Sequence, residues 1–279
     1  MTGIVGDITR GTTNPNRLRR VDRWAYYAIC GWIRRCADPL VVDLGYGATP
    51  ITTVEMFERY RKNIRPDIEV VGIEIDPQRV IEAKPLERPG LSFIHGGFEI
   101  PTGDRKPMMI RAFNVLRQYD ESEVVSAWQT MTNRLAQDGF LVEGTCDEIG
   151  RRSVWVSLRS GQSEPDTITF SAHIESLEKP SDLAPRLPKV LIHRNVPGEK
   201  IYDFLQAFDR AWLAKSSLIS FGARQRFVAA VELLAQEYPI MDNKARWRLG
   251  EVTVPWDVVM KTDRPRTPYQ TTSCELPLR

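Results

Sequence analysis

Between residues 40 and 146, short apolar runs alternate with amphipathic stretches, and that alternation restricts the chain to very few folds. LVVDLG (40–45) precedes a helical pattern over 50–63, with Val54, Met56, Phe57 and Tyr60 apolar and Thr52-x-x-Glu55 as a candidate capping box. IEVVGIEID (68–76) is followed by PQRVIEA (77–83), whose leading proline suits a first helical turn. LSFIHGG (91–97) and PMMIRAFNV (107–115) read as the third and fourth strands, and FLVEGTC (140–146) as the fifth. Between the last two, ESEVVSAWQTMTNRLA (121–136) reads as a helix stopped by Asp138-Gly139. Strands apolar along their whole length belong in a sheet covered on both faces. Right-handed crossovers then wind the sheet doubly. The expected fold is α/β: a doubly wound, mostly parallel, Rossmann-like sheet whose ligands sit at the carboxyl ends of the strands. The glycine turn, Glu74, Gly97, Asn114 and Asp147 would share that rim.

Around this core the organisation changes. Residues 1–38 read as a polar arm followed by a helix, with Val21, Trp24, Ala25, Ala28, Ile29 and Trp32 at helical spacing. Residues 39–175 form the expected Rossmann-like domain, closed by an antiparallel hairpin, SVWVSLR (153–159) and TITFSAH (167–173), after strand five. Residues 176–260 read as a helical appendage packed on it, marked by Ile201, Phe204, Leu205, Phe208 and Trp212, then by Phe227, Val231, Leu234 and Tyr238. Residues 261–279 are expected to be a flexible tail.

The chemistry concentrates at Asp43-Leu-Gly45-Tyr-Gly47, where two glycines follow a hydrophobic strand and let the backbone turn sharply beside a ligand. Glu74 ends the second strand 29 residues past Gly45. A carboxylate there can accept hydrogen bonds from both hydroxyls of a ribose. Ile75 and Phe98 could wall an adenine ring. A dinucleotide fingerprint needs a third glycine where this chain has Pro50, which compromises the pyrophosphate seat at the helix start. Asp43 would also repel a pyrophosphate while suiting an amino group and a sulfonium. Both points favour S-adenosylmethionine over NAD.

On these motifs, residues 40–146 resemble the class I S-adenosylmethionine-dependent methyltransferase family: VVDLGYG for its first motif, VVGIEID for its second and FIHGGFEIP for its third. The resemblance implies that Asp43, Gly45 and Gly47 contact the methionine part of the cofactor, that Glu74 holds the ribose, and that Phe98 lies near the adenine. It also implies methyl transfer by direct displacement. The third motif here has no acid before Glu99, and strand four ends in Arg111-Ala-Phe-Asn114 rather than the signature of amino-group methylating members. The acceptor therefore stays open between a small molecule and RNA. A non-catalytic S-adenosylmethionine-binding protein and an NAD-dependent oxidoreductase are the competing readings.

Asp147 and Glu148 are the preferred catalytic candidates, as acceptor contact or base, against a solvated acidic turn before Arg151 and Arg152. Asn114 could orient an acceptor or cap a turn. Arg117 and Tyr119 follow strand four, where an acceptor would approach. Arg111 could grip an anionic group bidentately or pair with a nearby carboxylate. His193 and Cys146 read more readily as structural than catalytic. RLRRVDRW (17–24) and KARWRL (244–249) interleave arginine with tryptophan as nucleic-acid surfaces do, but a covered helix face explains them at least as well.

Composition adds limits. A net charge of +2 over 279 residues gives no broad electrostatic footprint for nucleic acid. The 4 cysteines and 3 histidines lack the paired spacing of a zinc site. Scattered cysteines, no signal peptide and no apolar run of membrane length predict a cytoplasmic protein without membrane contact. Oligomeric state cannot be read from these features.

Overall fold

The computed structural model describes residues 3–8, 11 and 13–261. Cys274 and the tail expected over 261–279 lie outside them beyond Lys261. The elements are α1 (Arg19–Arg35), β1 (Leu40–Leu44), α2 (Ile51–Asn63), β2 (Glu69–Glu74), α3 (Pro77–Ala83), β3 (Leu91–His95), β4 (Met109–Phe113), α4 (Glu121–Arg134) and β5 (Phe140–Cys146). There follow β6 (Arg152–Arg159), β7 (Thr167–Ala172), α5 (Lys189–Ile192), α6 (Lys200–Ala214), α7 (Ala223–Leu234), α8 (Lys244–Trp247) and β8 (Glu251–Pro255).

All eight strands form one sheet in the order β3-β2-β1-β4-β5-β6-β7-β8. The first five are mutually parallel, and the chain order reverses direction of growth between β1 and β4. That is the doubly wound, Rossmann-like arrangement expected, with its topological switch point at the end of β1. From β5 onward the pairing is antiparallel. β6 and β7 are the expected hairpin.

β8 is a departure. EVTVP was assigned to a helical appendage, yet it pairs with β7 and completes the sheet. Its polar positions are buried beside its valines: the Thr253 hydroxyl meets that of Thr169 at 2.8 Å, and Glu251 pairs with Arg246. Two hidden polar residues erase the apolar run that would have announced a strand. The unit 176–260 is thus joined to the sheet and is not a purely helical addition.

The two faces are covered by different helices. α1, α2 and α3 close one face, with Trp24 edge-on to Trp155 at 5.6 Å. α4, α6 and α7 close the other, centred on Phe204, Phe208, Phe227 and Trp128. The apolar stripes read from the sequence are the residues that make these contacts. The capping box at Thr52 does not form: α2 begins at Ile51 behind Pro50, and Glu55 instead accepts the Asn16 amide at 2.8 Å. With Pro50 already at the cap position, Thr52 lies inside the first turn and its side chain cannot take that role.

Candidate functional site

β1 stops at Leu44 and the chain turns through Gly45 at φ +68° and Gly47 at φ +80°, a region that side chains strain to enter. Gly45 has a second constraint: a Cβ there would lie 2.5 Å from Val115 Cγ2. Glu74, 1% exposed, comes up at the end of β2 against the inner edge of this turn. Its Oε2 accepts the Gly47 amide at 2.8 Å, and its Oε1 accepts the amides of Ile75 at 3.0 Å and Asp76 at 3.3 Å. Arg79 stands 3.5 Å away. A buried carboxylate is thereby fixed at the switch point, aimed by three backbone donors.

Two expectations need correction on the same rim. Arg111 is wholly buried, at 0% exposed, and cannot meet a substrate. It sits opposite Asp43 in the β1–β4 register and donates to both carboxylate oxygens, Nε to Oδ1 at 2.8 Å and Nη2 to Oδ2 at 2.7 Å. Its other nitrogen meets Asp22 of α1, whose second oxygen takes Arg59 at 2.6 Å. Burial opposes the charge on Arg111, but Asp22 and Asp43 outweigh it and hold the guanidinium protonated. Thr53 Oγ1 also donates to Asp43 at 2.6 Å. The Asp43 carboxylate, expected to face the cofactor's methionine end, is therefore occupied, and the repulsion assigned to it is cancelled by its partner. Asp43 borders the cavity beside the glycine turn but acts first as an internal strut between β1, β4, α1 and α2.

The N-terminal arm lies across the turn. The Phe98 amide donates to the Val5 carbonyl at 2.9 Å, the Val5 amide to Glu99 at 2.9 Å, and the Asp7 amide to the Tyr119 hydroxyl. Gly6 sits between Ile75, Phe98 and Tyr119. Further on, Ala48 donates to the Gly11 carbonyl at 3.2 Å, and Thr13 to the Tyr46 carbonyl at 2.8 Å. The slot left between Glu74, Ile75 and Phe98 has a volume of about 20 Å³. That is room for about one water. Tyr119, expected to touch substrate, is instead a wall of this slot, packed on Phe98 with ring centres 5.2 Å apart. Its burial by the arm explains the change of role.

Beside the slot opens a cavity of about 390 Å³, bounded by Gly45–Gly47, Asn114, Arg117, Glu148 and Cys146. The volume falls in the range of about 300–1,000 Å³ of small-molecule sites. Asn114, at φ +61°, locks the ends of β4 and β5: its Oδ1 accepts the Cys146 amide at 3.0 Å, and its own amide donates to Gly144 at 2.7 Å. Asp147 receives the amides of Arg151 at 2.8 Å and Arg152 at 3.0 Å, closing the β5–β6 turn, and so is no unoccupied base. Glu148 is exposed on the cavity edge. Burial pushes the Cys146 thiol above its ordinary range, in keeping with an inert role. His193 merely ends α5. Sequence reasoning missed Arg17 and Arg186 on the cavity wall. Arg17 was legible only as part of the basic cluster 17–24 and nothing local marks Arg186, because the arm and the 180–186 segment reach the rim only through tertiary folding.

The two arginine–tryptophan clusters turn their aromatic residues inward. Trp24 and Trp247 are buried, Arg246 is ion-paired with Glu251 and stacks on Tyr27 at 4.8 Å, and Arg20 donates to the Leu249 carbonyl at 2.9 Å. Arg20 thus joins the two clusters, and their tryptophans are interior packing, while Arg19, Arg23, Lys244 and Arg248 stay exposed. No described helix is long and apolar enough to cross a membrane.

No known protein family matches the chain by sequence. No curated protein matches it either. Among solved structures it is similar to the plantazolicin methyltransferase BamL in complex with a triazolic desmethylPZN analog and SAH, at 17% identity and TM-score 0.37, over 47% of this chain and 46% of that one. It is also similar to SAH-bound magnesium protoporphyrin IX methyltransferase from Synechocystis PCC 6803, at 15% identity and TM-score 0.34, over 50% and 63%. SAM-bound CalS10, an amino pentose methyltransferase from Micromonospora echinaspora, matches at 18% identity and TM-score 0.34, over 56% and 68%. The likeness is one of fold. The chain spans about half the length of the first of these, and at such scores the likeness says nothing of substrate; function rests on this chain's own residues.

Proposed function

We propose that the chain is an S-adenosylmethionine-dependent methyltransferase. One observation carries the reading: the buried Glu74 carboxylate held 2.8 Å from the Gly47 amide, where a glycine turn and an acid meet at the switch point of a parallel sheet. When bound, the cofactor would supply a methyl group activated on a sulfonium. Glu74 would exchange its contact with the turn for the ribose hydroxyls, Gly45 and Gly47 would admit the methionine end, and Ile75 and Phe98 would flank the adenine. The arm has to leave the slot for this to happen. The chemistry left to the chain is positioning an acceptor in the adjoining cavity and excluding water.

Asn114 and Asp147 then serve as positioning residues that fix the ends of β4 and β5, with Glu148 the carboxylate nearest an entering acceptor. A small-molecule acceptor suits the cavity's volume. A protein that binds the cofactor without turnover is the second reading, favoured by the occupied slot and by the hydrogen bonds that consume Asp147. A dinucleotide fits less well, because Pro50 caps α2 where a pyrophosphate would need backbone donors.

Calorimetric titration with S-adenosylhomocysteine and with NADH tests the assignment. Binding of the first without the second is expected; the reverse overturns it. Consumption of S-adenosylmethionine in a fractionated extract separates the two surviving readings.

A further inference from the structure

Sequence reasoning placed an anion-gripping guanidinium at Arg111, which folding buries. The same chemistry reappears elsewhere on the cavity wall. Arg117 stands on the 3-10 turn after β4, Leu116–Gln118, and Arg186 ends the 3-10 segment Pro180–Arg186. Both line the 390 Å³ cavity beside the glycine turn. Each makes a hydrogen bond to a backbone carbonyl: Arg117 Nη1 to Pro185 at 2.7 Å, and Arg186 Nη1 to Cys146 at the 3.5 Å limit. Among the described residues, neither has a carboxylate partner.

Two half-buried guanidiniums therefore converge on one cavity with most of their donors unspent. Burial, and then the proximity of Arg186, push Arg117 below its ordinary value. Bringing like charges together in a partly desolvated cleft is unfavourable unless something negative completes the site. The cavity's own acids do not do so. Asp43 is already matched by Arg111, and Glu148 lies exposed at the edge. A purely structural arginine would need no second guanidinium facing it.

We infer that the methyl acceptor is a small molecule carrying an oxyanion, a carboxylate or a phosphate, gripped between Arg117 and Arg186. The planar fork of each guanidinium matches two oxygens of either group, giving orientation as well as attraction. The anion is the handle by which the acceptor is held; Asn114, on the wall of the same cavity, ties the end of β4, which leads into Arg117, to the end of β5, whose Cys146 carbonyl accepts from Arg186. The inference rests on the methyltransferase reading for the word acceptor, while the anion site itself can be tested alone.

The test titrates the full chain with inorganic phosphate and, separately, with succinate, following thermal stability against sodium chloride of equal ionic strength. Saturable stabilisation by at least one of the two beyond the chloride control is expected. Arg117→Gln and Arg186→Gln should each raise the apparent Kd roughly tenfold, the scale of a charge-assisted hydrogen bond. Arg117→Lys keeps the charge but loses the fork, and should fall between. A stronger response to phosphate identifies a phosphorylated acceptor, and to succinate a carboxylate. An equal response in wild type and in the Arg117→Gln/Arg186→Gln double variant, or no response beyond chloride, overturns the site. S-adenosylhomocysteine affinity, measured on the same proteins, checks that the variants fold. If wild type responds to the anions but does not bind S-adenosylhomocysteine, the cofactor reading fails and the anion site stands.

Discussion

Buried charge decides what single residues can do in this molecule. The Asp22–Arg111–Asp43 cluster ties α1, α2, β1 and β4 together beneath the glycine turn. Removing its central cation leaves the buried Asp43 carboxylate without a counter-ion and Asp22 with Arg59 alone. Arg111→Met should cost about 3–5 kcal/mol in urea unfolding, the usual penalty for breaking a buried pair from one side; a loss under about 1 kcal/mol would mean that the cluster is dispensable. Glu143 presents the opposite case. It lies wholly buried in β5, one carboxylate oxygen and the neighbouring Trp128 indole both lack a hydrogen bond of normal geometry, and burial pushes its pKa up to about 8. Unfolded, it would titrate near its ordinary 4.5, so the folded chain binds the extra proton between these values. Stability is then present in full below about pH 4.5 and drains away as pH rises through about 8. Glu143→Gln should flatten that slope, so that the Tm advantage of the variant grows from pH 5 to pH 8. A constant difference across that range would rule out the protonated carboxyl.

At this scale the sequence was informative about residue types and poor about partners. Gly45, Gly47 and Glu74 could be read directly, because a turn after an apolar strand and an acid at the next strand's end are local patterns. Arg111 could not, since its partners lie 68 and 89 residues away in Asp43 and Asp22. The charge argument built on Asp43 failed for the same reason. A side chain's net field depends on what the fold sets beside it.

Among the elements, α1 to α4, α6, α7 and the first seven strands follow their hydrophobic periodicity closely, whereas the four-residue α5 and α8 are too short to show one. β8 escaped notice because Glu251 and Thr253 hide polar groups in its buried face. The N-terminal arm is the element with most functional consequence, and its composition of glycine, threonine and asparagine gave no sign of where it docks. Residues 5–7 occupy the slot between Phe98, Ile75 and Tyr119, so cofactor entry must first break the Val5–Phe98 and Asp7–Tyr119 hydrogen bonds. Each such bond contributes about 0.5–1.5 kcal/mol. Deleting residues 1–8 should therefore tighten S-adenosylhomocysteine binding by roughly tenfold, by removing the fraction of molecules with the slot closed. Weaker binding on deletion would instead make the arm part of the cofactor's wall.

For the whole molecule, the ends of the parallel strands supply the glycine rim and most of the cavity wall, which the N-terminal segment and Arg186 complete. Completion by distant segments explains why fold and cofactor were legible while the acceptor was not. The rim is built from contiguous motifs, whereas Arg117 and Arg186 are brought together from the turn after β4 and the 180–186 segment. The interior position of Trp24, Trp247 and Arg246 takes the aromatic part of the RNA reading away, while the proposed small anionic acceptor rests on the cavity.

The central claim is that Glu74 at the glycine turn holds the ribose of S-adenosylmethionine, and calorimetry with S-adenosylhomocysteine on wild type and Glu74→Ala tests it most directly. Loss of a charge-assisted hydrogen bond predicts at least roughly tenfold weaker binding in the variant, with its unfolding still cooperative. Wild-type affinity in a folded Glu74→Ala protein would contradict the account.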